Sequence, residues 1–189
     1  MSLTKIAALP RRRQMILLSV AGLALVALSV GATVAIVTLA SQKPTVPSDA
    51  ALFVYDTNTS LVEDNRAWAW SDDANGSLSA TDAEAAVECP AGSTNSASFL
   101  SLPGGERDPS AWAAWENLGY GGDTVSVILP PLTPDRMGQG AGKAARTNGG
   151  TFSLGIACTT NNGLAVTAAY FRSITVEPGG NWKLEPLRN

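Results

Sequence analysis

Few side chains in this sequence combine type and spacing in a way that suggests chemistry. Trp68 and Trp70 stand two apart, so an extended backbone puts both indoles on one face, where a flat aromatic pair stacks on sugar rings. The small Ala67 and Ala69 between them suit the interior of a β-sandwich as well, and that use of the pair is the one the alternation favours. Residues 130–150, with the glycines of Asp135–Lys143, read as a long mobile loop; its Arg136, Lys143 and Arg146 make a basic spot that could meet an anionic wall polymer or a partner protein, but a solvated loop is the favoured reading. A phosphate-binding P-loop is excluded there, because Lys143 is followed by Ala144 where that motif needs Ser or Thr.

Carboxylates offer less. Asp72, Asp73 and Asn75, with Asp56 and Asn58 in reach, are oxygen donors of the kind calcium selects, but they lack the alternate acids and distal Glu of a binding loop and read as a solvated turn. Adjacent turn acids also do not set the separation that a glycosidase pair requires. The chain has no histidine, which excludes histidine triads, histidine-ligated zinc and histidine acid–base catalysis. The expectation is a protein that is not an enzyme and uses no catalytic residue, metal or cofactor.

Two features dictate where these residues work. Gln14 to Gln42 is free of charge, and the apolar run Met15–Ala40 exceeds the roughly 20 residues that cross a bilayer. Lys5, Arg11, Arg12 and Arg13 precede it, so the positive-inside rule keeps residues 1–14 in the cytoplasm and sends everything beyond residue 40 outside. A cleaved signal peptide ending near Thr38-Leu39-Ala40 is the competing reading, and the length of the run favours a retained single-pass anchor in the cell membrane. Ala27, Gly31 and Ala35 repeat at helical spacing within it and would let another helix pack closely. All 16 acids lie beyond the run while four of the 13 bases precede it, which leaves nine bases and a charge of −7 outside. Such an acidic face does not suit nucleic acid.

Cys89 and Cys158, the only two cysteines, allow one intramolecular disulfide in an oxidising exterior; two buried free thiols are the alternative. Residues 41–50, with two prolines, read as a spacer. From residue 51 to 189 the pattern is that of short strands. Leu52–Tyr55, Arg66–Trp70, Thr124–Leu129 and Asn181–Glu185 each carry strand formers. Thr151–Cys158 and Leu164–Phe171 flank Asn161-Asn162-Gly163, which predicts a long hairpin with Cys158 on its apolar face. Asp108-Pro109-Ser110 predicts the start of one short helix running to Gly119, with Trp112, Trp115 and Leu118 along one side. Thr81–Glu84 fits either a capping box or the lead into a strand that reaches Cys89.

The stretch Gly150–Cys158, its Asn-Asn-Gly turn, Ala169–Val176 and Gly179-Gly180-Asn181-Trp182 together resemble uncharacterised β-sandwich modules in surface proteins of high-GC Gram-positive bacteria. The resemblance spans residues 66–185, implies an envelope location and carries no active site to transfer. Together these observations predict a mainly β, antiparallel, immunoglobulin-like or jelly-roll-like sandwich with one short helix, placed after a single transmembrane helix. The function they imply is that of a non-catalytic accessory or structural subunit, or protein-binding module, of a cell-envelope membrane complex. A surface carbohydrate-binding module using Trp68 and Trp70 on cell-wall glycan is the second expectation.

Overall fold

A computed structural model describes residues 47–64, 66–120 and 125–187. The expected cytoplasmic segment, the membrane helix with Ala27, Gly31 and Ala35, and the first part of the spacer lie outside the described residues. No described helix is long and apolar enough to cross a membrane.

The chain runs β1 (Phe53–Tyr55), β2 (Asn75–Ser77), β3 (Val87–Glu88), β4 (Asn95–Ser101), β5 (Trp112–Tyr120), β6 (Ser126–Val127), β7 (Gln139–Gly140), α1 (Gly142–Asn148), β8 (Gly150–Thr160), β9 (Ala165–Val176) and β10 (Trp182–Leu184). A six-stranded sheet has the order β10-β9-β8-β4-β5-β7, and the pairs β1-β2 and β3-β6 form two small sheets. Every pairing among the described strands is antiparallel. The described residues are thus mainly β with one short α-helix, an arrangement that fits a β-sandwich-like fold.

The β8-β9 hairpin forms as its alternation predicts. Asn161, Asn162 and Gly163 take φ of 52°, 57° and 86°, a reversal that asparagine and glycine tolerate and most residues do not. Leu154, Ile156 and Cys158 on β8 and Tyr170 and Ile174 on β9 enter one buried cluster with Leu52, with Val54 of β1 and with Val87 of β3, so both small sheets lie against the same face of the large one. Gly76 shows how closely they approach: a Cβ there would stand 2.9 Å from Ile156 Cδ1 and 3.1 Å from Leu132 Cδ1. The Cys89–Cys158 disulfide, with Cα atoms 5.5 Å apart, fastens the end of β3 to β8 across this core. Closing a loop of 69 residues in this way stabilises the fold by about 4 kcal/mol in the chain-entropy picture.

The opposite face of the large sheet carries a second cluster, Ala97, Phe99, Trp112 and Ala157, flanked by Trp115, Val166 and Phe171. Phe99 stacks on Trp112 with ring centroids 4.9 Å apart. Glu106 is buried beside them and holds a turn, its Oε1 accepting from the Gly104 N–H at 3.0 Å and the Ser153 hydroxyl at 2.7 Å.

Four expectations about local structure need correction. Trp112 to Gly119 is not helical: a single 3-10 turn, Pro109–Ala111, capped by Asp108, leads directly into β5. A register shift beside Leu100 places Trp112 and Trp115, three apart, on one face of a strand, so a bulge reproduces the spacing expected of a helix. Residues 130–150 are not one loop, since the 3-10 turn Pro134–Arg136, β7 and α1 all lie within them. Pro134, Met137 and Ala145 are buried, and that burial holds elements too short to announce themselves. Arg66–Trp70 joins the sheet only through a bridge between Trp68 and Trp182. Among the described residues 125–129, Ser126 and Val127 pair with β3 before Leu129 turns at φ 50°. The open choice at Thr81–Glu84 resolves as a turn ahead of the β3 strand, with Asp82 Oδ1 accepting from the Glu84 N–H at 3.0 Å.

Candidate functional site

The two tryptophans offer no stacking platform. Trp68 is 2% and Trp70 5% exposed. Trp68 stacks on Trp182 at 5.2 Å, and the Arg66 guanidinium lies 4.5 Å above its ring, so its faces are already occupied. The backbones of Trp68 and Trp182 exchange two hydrogen bonds of 2.8 Å, and the Trp182 Nε1–H donates to the Ala69 carbonyl at 3.1 Å. The favoured interior use of the pair is therefore what the packing adopts.

The basic stretch fares differently. Lys143 and Arg146, three apart on α1, project from the same side of the helix, while Ala145 between them is buried. Both line a cleft of about 600 Å³ with Trp70, Asp135, Met137 and Gly179. Tertiary contacts set its shape. The Gly179 N–H donates to the Arg146 carbonyl at 2.9 Å, and Arg146 Nε returns a bond to the Gly179 carbonyl at 3.3 Å. A side chain at Gly180 would collide with Arg146 Cγ at 2.8 Å and Trp70 Cβ at 3.0 Å, so only glycine lets the turn after β9 close on the helix. The Asp135 N–H donates to the Trp70 carbonyl at 3.2 Å and brings the 3-10 turn onto the same wall.

Arg146 is partly committed, because Asp135 Oδ1 stands 3.6 Å from it. Lys143 has no ion-pair partner among the described residues and is exposed. Arg136 is exposed too and sits between the lining residues Asp135 and Met137 without itself lining the cleft. The structure thus brings two of the three predicted basic residues into one cleft and leaves the third beside it. Trp70 and Gly179 are the wall members that sequence reasoning assigned elsewhere, one to a strand face and the other to a turn.

The acidic groups serve the backbone. Asp72 Oδ2 accepts from the Ala69 N–H at 2.8 Å, and Asp73 Oδ1 receives the Thr133 hydroxyl at 3.5 Å. Asp56 Oδ1 accepts from the Asn58 and Ser60 N–H groups at 2.9 and 3.1 Å. The Ser60 N–H, aided by that of Asn58 and by Arg66, holds the Asp56 carboxyl below the ordinary carboxylate range against the opposing pull of desolvation. Among the described residues no three Asp, Glu or Cys side chains converge as they would around a metal ion.

A second cleft, of about 450 Å³, lies over β9 between Ser48, Glu106, Ser153, Phe171 and Leu187. Its walls come from the segment entering the domain and the segment leaving it, so its form depends on how the ends of the domain are tied. No family model matches this chain, and no curated protein or solved structure matches it either.

Proposed function

We propose that this chain is a non-catalytic, single-pass membrane protein whose extracytoplasmic domain serves as an accessory or structural subunit of a cell-envelope complex, or as a protein-binding module on one. The observation that carries the reading is the Cys89–Cys158 disulfide closed inside the core, since such bonds persist in oxidising compartments. The uncharged run from Gln14 to Gln42 and the basic residues before it agree with that location. The finer fold class, an immunoglobulin-like or jelly-roll-like sandwich behind one transmembrane helix, and the likeness to surface modules of high-GC Gram-positive bacteria belong to this proposal. Partners in it are the bilayer and at least one protein, and nucleic acid has no place in it. Sugar binding through Trp68 and Trp70 is set aside, because both indoles are buried.

Protease treatment of intact, wall-stripped cells tests the topology, and native co-purification from gently solubilised membranes tests the subunit role. The expected results are digestion of the domain from outside and a stable, stoichiometric protein partner. A mature chain released into the medium and beginning near Ser41 would end the anchored reading, and recovery of the chain alone at monomer mass would end the subunit reading.

A further inference from the structure

We infer that the cleft between β7, α1 and the Gly179 turn receives an extended acidic peptide segment of a partner protein, laid beside β7 with its carboxylates toward Lys143 and Arg136. The inference rests on the protein-binding reading above and names its site and the chemistry of its partner. Three independent features meet there.

The first is charge. Beyond residue 40 the chain carries nine bases against 16 acids, yet here Lys143 lines a cleft and Arg136 flanks it, and neither has an ion-pair partner among the described residues. Asp135 offsets only Arg146. A local positive spot on an acidic domain attracts an acidic segment to one place and repels it from the rest of the surface.

The second is backbone access. β7 is the terminal strand of the large sheet, with β5 on one side and no described strand on the other. Gly138, Gln139 and Gly140 are exposed, and a Cβ built on Gly138 meets nothing nearer than the Arg136 carbonyl oxygen at 3.9 Å. Bare main chain at a sheet edge is what an added peptide strand pairs with. A phosphate polymer would use the cations, and its phosphates could accept from the edge's N–H groups but carry no donor for its carbonyls, which is why the peptide, able to pair with both, is preferred.

The third is shape. The cleft, about 600 Å³, is lined by Lys143 and Arg146 together with the largely buried Pro134, Met137 and Trp70, so its lining mixes charged and apolar groups as an extended peptide with alternating side chains requires.

The test uses the full chain in mild detergent and a fluorescently labelled, end-blocked peptide of alternating Asp and Val, followed by anisotropy. Its arms are the same peptide with Asn for Asp, and labelled poly(glycerol phosphate) of matched charge. The expected result is saturable binding of the Asp peptide, weakened about tenfold by Lys143→Glu with Arg136→Glu and severalfold on raising salt from about 50 to about 300 mM. Gly138→Val, which has room to fold, blocks the edge and weakens the peptide by a similar factor while leaving the thermal midpoint in place. Equal binding of the Asn peptide or of the phosphate polymer, or indifference to the charge reversals, would overturn the inference. If the charge-reversed chain still co-purifies with its stoichiometric partner, the subunit reading survives and this cleft is not the contact. If the unaltered chain has no partner at all, both readings fall together.

Discussion

The two edges of the large sheet are finished in different ways. On the β9 side, β10 pairs with Ile174–Val176, and the entering segment covers the next stretch. There the Asp49 N–H donates to the Ala169 carbonyl at 3.0 Å, the Ala169 N–H donates to Asp49 Oδ2 at 2.8 Å, and the Phe171 N–H donates to the Ser48 hydroxyl at 2.9 Å. Arg107 adds an ion pair to the same Asp49. On the β5 side, only Ala114 and Trp115 have partners in β7, and both β7 residues are exposed. One edge is closed by β10 and by the segment that enters the domain, with buried aromatics behind it, and the other is left short, glycine-rich and flanked by cations. An unpaired edge is a liability for aggregation unless it is brief or used, and β7 is only two residues long, so the peptide proposed above would meet a short edge here rather than the strapped one.

The largest effect that would break this contrast comes from the closed edge. Trp182 is 1% exposed and stacked on Trp68, so Trp182→Ala is expected to cost about 3–5 kcal/mol in denaturant unfolding by removing a buried aromatic side chain and the packing that holds β10. A cost below about 1 kcal/mol would mean that β10 is not what secures that edge. Asp49→Ala should cost about 1–3 kcal/mol, because it strips the Ala169 N–H and Arg107 of their acceptor. Hydrogen exchange is expected to quicken at Ala169 and to stay unchanged at Trp115. Equal quickening at both positions would show that the strap supports the whole sheet rather than one edge.

Two smaller effects sharpen the comparison. Acidification acts on Asp56, which is linked to the closed edge through Arg66, paired with it and lying over Trp68. Its folded carboxyl lies below the unfolded value, so its contribution is complete above about pH 3.9 and fades as the pH drops through the folded value. Asp56→Asn should flatten the stability profile in that acidic window and leave it unaltered near neutrality relative to its own plateau. Gln139→Ala on β7 should change stability by no more than about 0.5 kcal/mol, since its side chain is exposed and the pairing uses main chain. A larger loss would show that the open edge is structural after all.

Legibility in the sequence followed the range of the interaction. The β8-β9 hairpin could be read because its signals, alternation and Asn-Asn-Gly, lie within one continuous stretch. The β5 strand was read as a helix because its bulge depends on pairing with β4, and no local pattern reveals a partner's register. Lys143 and Arg146 were visible as cations, but their cleft was not, because its remaining walls come from Trp70 and from the Gly179 turn, far away in the chain. Arg66–Trp70 misled for a related reason: two residues' spacing gives a face, and only the Trp68–Trp182 bridge says which way that face turns.

The sequence by itself determined the mainly β character, the long hairpin, the choice of sulfur partners and the acidic balance beyond the apolar run, since each depends on composition or on neighbours along the chain. The tertiary structure alone decided which edge is closed, which tryptophans are hidden and which basic residues share a cleft. Those outcomes arise from residues many positions apart coming into van der Waals and hydrogen-bond contact, and such contacts exist only once the core has packed.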